Sequence, residues 1–413
     1  MRHGNITEGN EKENMKNVEK RKDIPLFSVI VLTYLQGHLI EKCLDSILNQ
    51  TYPNMELVIC DDCSADFDED RLRSYIEEKK EDNLKNLVIY KQSHNVGTTA
   101  NAKTGIELSH GKYFKLHAGD DLLYHDDVLQ NMADFFAGNE DAEIVCCRSV
   151  ACTFFGDMTN DCYPSYEAYC KMEAADAQQQ FTLIATQSWG EYINAPSVFW
   201  RRDLYDGVGG FDMNYCYTED WPMWLKITAL GHRIVPRNVI TTIYRYGVIS
   251  NGESMINQTL GAKHYRESIQ MLEEYGLSSF QKAGNIDALK RCKHCIQALE
   301  ARIVCETMWK DMSFFDKIAW KWENRVFLLN SWLYRKEKWG AAPFCNRNWL
   351  YALLTCLILY WLNCEILPGI PCKKGWAIIF LCVAAIFALR YIIAIVFRVY
   401  LKTRRGRALQ NGR

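Results

Sequence analysis

The sequence predicts an α/β fold built on a sheet that is open at its carboxyl edge. Three observations carry this. Apolar strand-like runs alternate with helical segments through short links over the first 120 or so residues. The first run, Phe27-Ser-Val-Ile-Val-Leu-Thr33, is continuous and β-branched, the kind buried on both faces of a parallel sheet. Polar residues then gather at or just beyond the strand ends: Thr33, Asp61, Asp62, Asn95, Asp120 and Asp121. In open α/β sheets that is where ligands bind.

In order, the polar, charge-mixed residues 1–24 have no apolar stretch of the secretory kind and are expected to be a disordered tail. Gly37 ends the first strand, and residues 39–48 carry apolar side chains at helical spacing. A second run over 55–60 ends in Asp61-Asp62-Cys63-Ser64, and a charged helix follows to about residue 80. A third run, Leu87-Val-Ile-Tyr90, leads to Asn95-Val-Gly97 and a helix to residue 108. The fourth, Lys112-Tyr-Phe-Lys-Leu116, runs into His117-Ala-Gly-Asp-Asp121, with a helix starting near Tyr124. Residues 142–153 read as a further strand, and the polar, aromatic stretch 154–187 as containing a loop over the site. Gly209-Gly-Phe-Asp212 is a turn signal. Glu219 and Asp220 precede a helix whose first turn tolerates Pro222.

Two acid pairs are candidates for chemistry. Asp120-Asp121 after a strand suits a hard divalent cation, Mg2+ or Mn2+, which takes carboxylate oxygens and leaves positions for phosphate. The same pair also reads as a turn plus a helix N-cap. Glu219 and Asp220 read equally as complements to a helix dipole or as the source of a general base.

A chain of 413 residues accommodates one large domain plus extras, or two domains. A net charge of −2 gives no global pull toward nucleic acid. The 17 irregularly spaced cysteines suit reduced, packed thiols in a cytoplasm-facing protein. Cys292-x-x-Cys295 lies in a helical pattern with no second pair at zinc-ribbon spacing.

Together these pieces resemble the family 2 glycosyltransferases, inverting nucleotide-sugar enzymes of the Rossmann-like GT-A fold. The residues that carry the likeness are Phe27-Ser-Val-Ile-Val-Leu-Thr-Tyr34, Ser46-Ile-Leu-Asn-Gln-Thr-Tyr52, Ile59-Cys-Asp-Asp-Cys-Ser64, Asn95-Val-Gly97, Ala118-Gly-Asp-Asp121, Gly209-Gly-Phe-Asp212 and Glu219-Asp-Trp221. The resemblance implies a GT-A domain over 25–256. It implies that Thr33, Tyr34, Asp62 and Asn95 bind the donor nucleotide. Asp120 and Asp121 would hold the metal against the diphosphate, Asp220 would deprotonate the acceptor hydroxyl, and Glu219 and Trp221 would lie on the acceptor side. Three departures from the family pattern stand out. Ala118 replaces a frequent further Asp, Lys103 replaces a frequent Asn, and Tyr244-Arg245-Tyr246-Gly247 lacks the usual His. Lys103 and Arg245 are then the cations expected near the phosphates.

From residue 257 the pattern turns helical, and Leu289, Cys292, Ile296, Leu299 and Ile303 form one amphipathic stripe expected to pack on its own domain. Residues 257–345 read as a basic, aromatic neck: six of the 12 tryptophans lie between 309 and 349, a composition suited to a membrane interface. Residues 376–397 are apolar and, at about 33 Å as a helix, long enough to span a bilayer. With residues 349–370 they would make a transmembrane hairpin within 346–413, the basic flanks placing both ends in the cytoplasm. Core helices or a re-entrant hairpin are the other readings of these segments.

The expected function is a membrane-attached inverting glycosyltransferase. It would take a UDP-sugar or another nucleotide-sugar donor and a saccharide acceptor, lipid-linked, in cell-surface polysaccharide synthesis, with no nucleic-acid partner. A processive synthase lacks support, since no Gln-x-x-Arg-Trp-type motif follows Asp220. A non-catalytic sugar-nucleotide scaffold on the membrane is the remaining class, and the intact Asp62, Asp120 and Asp220 speak against it.

Overall fold

A computed structural model of the protein describes residues 24–37, 39–153, 156–187, 191–245, 258–308 and 312. The chain divides into two compact units, Met1–Phe327 and Leu328–Arg413. The expected polar tail, most of the basic neck beyond residue 308, and both segments of the expected hairpin lie outside the described residues. Among those that are described, no helix is long and apolar enough to cross a membrane.

The first unit opens with strand β1 (Phe27–Thr33), helix α1 (Ile40–Leu48), β2 (Met55–Asp61), α2 (Glu69–Lys79), β3 (Leu84–Lys91), α3 (Thr98–Glu107) and β4 (Tyr113–Ala118). It continues through β5 (Leu122–Leu123), α4 (Val128–Gly138), β6 (Ile144–Cys152), β7 (Met158–Tyr163), α5 (Tyr166–Glu173) and α6 (Ala177–Ala185). Then come β8 (Val198–Arg201), α7 (Arg202–Gly207), α8 (Asp220–Ala229) and β9 (Val235–Arg245). Downstream lie α9 (Gln258–Met271), a π-helical turn (Leu272–Leu277), α10 (Ser278–Lys282) and α11 (Ile286–Thr307).

Among the described residues nine strands make one sheet, in the order β3-β2-β1-β4-β8-β6-β9-β5, with β7 beside β6. β3, β2, β1 and β4 are mutually parallel. β8 is antiparallel to both β4 and β6, and β9 is parallel to β6. Six strands therefore end on the same edge, at Thr33, Asp61, Lys91, Ala118, Cys152 and Arg245. Every residue of β2 is buried, and all of β1 but Leu32, as a strand covered on both faces requires. One apolar cluster packs α1, α2 and α4 on one face. The other packs α3, α6, α8, α9 and α11 on the opposite face. Gly105 lets α3 approach the sheet: a Cβ there would meet Ile30 Cγ2 at 2.5 Å.

Regular elements also occupy the stretch 154–187, in which a loop over the site is expected. Its described part holds β7, α5 and α6, with α6 capped reciprocally by Asp176 and Gln179. The helix expected from Tyr124 begins at Val128, because Leu122 and Leu123 first pair with β9. Cys292 and Leu299 of the α11 stripe are almost fully buried in the core, and Leu289 and Ile303 pack against it. Cys292 and Cys295 turn to different carbonyls, those of Leu272 and Thr186, as packed thiols do.

Candidate active site

β4 carries the first acid pair to the carboxyl edge. Asp120 and Asp121 are 6% and 1% exposed, so both are buried at the strand end instead of standing in solvent. The first turn after β4 holds them: Gly119 N–H donates to the Leu32 carbonyl, and Asp121 N–H to that of Ala118. Arg245, at the end of β9, closes on them. Its backbone N–H donates to Asp121 Oδ1 at 2.9 Å and its Nε to the Asp120 carbonyl at 3.1 Å. The second oxygen, Asp121 Oδ2, is buried with no hydrogen-bond partner. Burial, and then the charge of Asp120, push the Asp121 carboxyl well above its usual range. Two adjacent buried carboxylates with an unpartnered oxygen fit a divalent cation. No cluster of three or more His, Cys, Asp or Glu that could hold a metal occurs among the described residues. A cation here would take two protein carboxylates and complete its shell with phosphate oxygens and water.

The chemistry of the pair reaches below it. Lys115, on β4, is fully buried, with Nζ donating to the Pro196 carbonyl and lying 4.8 Å from the Phe199 ring centre. Burial lowers its pKa to about 8, while Asp121 is the first group opposing that shift. Lys115 is thus a buried countercharge beneath the acids.

Asp62 follows β2. Its backbone N–H donates to the Thr33 carbonyl at 2.9 Å, and its carboxylate accepts from Val96 N–H at 2.7 Å and Gly97 N–H at 3.0 Å. Gly97 has φ +86°, and a Cβ there would meet Cys216 Sγ at 2.5 Å. Asp62 therefore shapes the Asn95–Gly97 loop with both carboxylate oxygens. Asn95 Nδ2 closes the same turn on the Asp62 carbonyl at 3.4 Å. Thr33 is buried and Tyr34 is 36% exposed. Lys103 is turned along α3 into an exposed pair with Glu107 at 2.6 Å.

The second acid pair opens α8. Stacked rings hold this helix to the sheet: Phe114 on Trp200 at 5.8 Å and Trp200 on Trp224 at 5.3 Å. Trp221 Nε1 donates to the Ile184 carbonyl at 3.2 Å. Glu219 makes no side-chain cap, and Asp220 Oδ1 accepts the adjacent Trp221 N–H at 2.7 Å. Asp220 lies in the first turn of α8, where an acid also complements the helix dipole. Burial, and then the charge of Asp220, push Glu219 up to about 8. Burial also raises Asp220, opposed by the Trp221 N–H and by the charge of His264. Burial thus raises the proton affinity of both members of the pair, and Glu219 is the one pushed to about 8.

Thr33, Asp62, Asn95, Asp120, Asp121 and Arg245 thus come together at one edge, while Lys103 points elsewhere. Sequence reasoning missed Glu267 and His264 of α9. Glu267 accepts the N–H groups of Cys216 and Tyr217, at 2.8 and 2.9 Å, on the loop leading to Glu219. The i, i+3 spacing of the two residues puts them on one helix face, but nothing local ties that face to residue 216.

The family model described as Glycosyl transferase family 2 matches residues 28–205. Over 208 residues the chain is 28% identical to an uncharacterized glycosyltransferase of Rickettsia prowazekii, covering 49% of this chain and 58% of that protein. Against the PGL/p-HBAD biosynthesis glycosyltransferase of Mycobacterium tuberculosis, identity is 24% over 230 residues, 55% of this chain and 80% of that one. The chain spans less than two thirds of the two Rickettsia glycosyltransferases it matches, 58% and 60%. A mannosyltransferase from Pyrobaculum calidifontis, solved with GDP-Man and Mn2+, superposes with a TM-score of 0.43 at 20% identity, over 67% of this chain and 75% of that one.

Proposed function

We propose that this chain, whose residues 28–205 form a glycosyl transferase family 2 domain, is an inverting, membrane-attached glycosyltransferase. It moves a sugar from a nucleotide-diphosphate donor, a UDP-sugar first among the candidates, to a hydroxyl of a lipid-linked saccharide in cell-surface polysaccharide assembly. One observation carries the reading. The chain holds two separate carboxylate centres: buried Asp120–Asp121 at the carboxyl edge with an unpartnered oxygen, and Glu219–Asp220 at the start of α8, after a loop whose Cys216 packs on Gly97.

Asp120 and Asp121 are the residues that would hold Mn2+ or Mg2+, which when bound supplies neutralising charge to the leaving diphosphate. Arg245 fixes the Asp121 carboxylate through its backbone N–H and holds the Asp120 carbonyl through Nε. The Asp62 loop, with Thr33 and Asn95, forms the floor for the nucleotide. Asp220 accepts the proton of the acceptor hydroxyl as its oxygen attacks the anomeric carbon. The bond to the diphosphate oxygen breaks on the opposite side, so an α-linked donor gives a β-linked product. Glu219, pushed up to about 8, keeps its proton near neutrality beside the base.

The test is nucleotide release by the detergent-solubilised chain from UDP-, GDP- and dTDP-sugars, with Mn2+ and then with chelator. Metal-dependent release from one donor, lost in Asp120→Ala, is the expected result. Release that persists with chelator, or no metal-dependent donor binding at all, would sink the reading. Anomeric NMR of the product showing retained configuration would overturn inversion alone.

A further inference from the structure

The segment between Asp212 and Asp220 is held from both sides. On the donor side, Thr99 N–H donates to the Cys216 carbonyl at 3.3 Å, and Cys216 Sγ to the Val96 carbonyl at 3.7 Å. Gly97 lies so close that a Cβ there would meet Cys216 Sγ at 2.5 Å. On the other side stand α9 and the π-helical turn that follows it. The two carboxylate oxygens of Glu267 accept the successive N–H groups of Cys216 and Tyr217, at 2.8 and 2.9 Å. One turn earlier on the same helix face, Lys263 Nζ donates to the Tyr217 hydroxyl at 3.5 Å. The wide turn brings two consecutive side chains to the same segment. Glu274 accepts from the Tyr215 hydroxyl at 2.7 Å, and Tyr275 donates its own hydroxyl to Asp212 Oδ2 at 3.2 Å.

This clamp controls the entry to α8. Only Thr218, itself buried, separates Tyr217 from Glu219, and consecutive Cα atoms are tied about 3.8 Å apart. Further along, α8 is fixed by the stack of Trp224 on Trp200 and by the bond from Trp221 Nε1 to the Ile184 carbonyl. Its first turn is set from the loop side, where α9 grips the peptides of residues 216 and 217. We infer that Glu267 is a positioning residue for Asp220: by binding these two N–H groups it holds the segment on the Asn95–Gly97 floor and fixes the start of α8. The inference rests on reading Asp220 as the base. Glu267 acts through the backbone, so its loss moves the base and leaves the donor-side carboxylates Asp62, Asp120 and Asp121 in place.

Two measurements on the full chain in detergent test this. The first is hydrogen–deuterium exchange read by mass spectrometry, with the β1 and β2 peptides as the check that the fold is retained. In Glu267→Gln one oxygen becomes an amide NH2, which cannot accept the second N–H. Exchange of the peptide covering residues 213–218 should rise about threefold or more, and further in Glu267→Ala. An unchanged peptide in both variants overturns the inference, whether or not the chain transfers sugar. The second is nucleotide release with UDP-N-acetylglucosamine, UDP-glucose and GDP-mannose as probes. Glu267→Gln should lower kcat about tenfold and Glu267→Ala more, with donor KM within about twofold in both. A loss that falls on KM and spares kcat, or no loss at all, overturns the positioning role. If the parent chain turns over no donor, the proposed function is at fault, and the exchange measurement still decides whether Glu267 holds the loop. If a donor is turned over and Asp220→Asn keeps the parent rate, the base is misassigned and the inference falls with it.

Discussion

Glu219 and Asp220 stand side by side at the start of α8, and burial raises both carboxyls with different consequences. On the proposal that Asp220 is the base, Asp220→Asn should cut transfer by about 10² to 10⁴-fold while donor binding by calorimetry stays within about twofold. Glu219 behaves differently, because its pKa of about 8 means that it already carries a proton at neutral pH. Between its unfolded value and about 8 the folded chain binds more protons than the unfolded one, so this residue lowers stability as pH rises through that window. Glu219→Gln should therefore melt higher than the parent at pH 8 and no higher at pH 5, as scanning calorimetry would show. An advantage that is equal at both values would mean Glu219 ionises normally. At the other acid pair, Mn2+ should raise the melting temperature of the parent and leave that of Asp120→Ala unchanged. Asp121 was legible as a ligand candidate from its place after a strand. Its bond to the Arg245 backbone was not, because 124 residues separate the two.

The first four strands were legible because each is a short apolar run closed by polar residues, and the links are short. β7 was not, since its residues are mostly exposed or half-buried and carry no alternation a core would impose. Gln180 shows the same limit. It reads as a surface residue, yet it is fully buried and donates to the Met172 and Ile234 carbonyls while accepting the Ile234 N–H. Glu56 is a polar staple at the amino edge of the sheet, binding β1, β2 and the turn before β4. It accepts from Ser28 Oγ at 2.6 Å, from Gly111 N–H at 2.9 Å, and from the N–H of His110. Burial alone would raise its pKa, but the bonds from Ser28, His110, Asn86 and Gly111 outweigh it and hold the carboxyl below its usual range. That stability is present above the unfolded pKa and lost as pH falls through the folded one. Glu56→Gln should cost about 1–3 kcal/mol at pH 7 by denaturant unfolding, a gap that narrows in acid. A gap that widens in acid would contradict this account of the staple.

On the scale of the whole molecule, the active edge and the amphipathic helices α9 and α11 form one body, for their apolar faces share a core with α6 and α8. The sequence beyond residue 327 contains residues 376–397, an apolar run with Arg390 as its single charge, flanked by Lys402, Arg404 and Arg405. Basic flanks and a bilayer-length apolar run are expected to anchor the chain at the cytoplasmic side of a membrane. An anchor changes what the catalytic edge can reach: it leaves donor chemistry alone and confines the acceptor to two dimensions, raising its effective concentration. Removal of residues 328–413 should therefore release the protein from membranes at alkaline pH and leave donor hydrolysis within about threefold. Transfer to a polyprenyl-diphosphate saccharide in vesicles should fall at least about tenfold relative to a soluble saccharide of the same structure. Equal loss on both acceptors would place the role of the last unit in folding, and no loss on either would leave the lipid-linked acceptor without support.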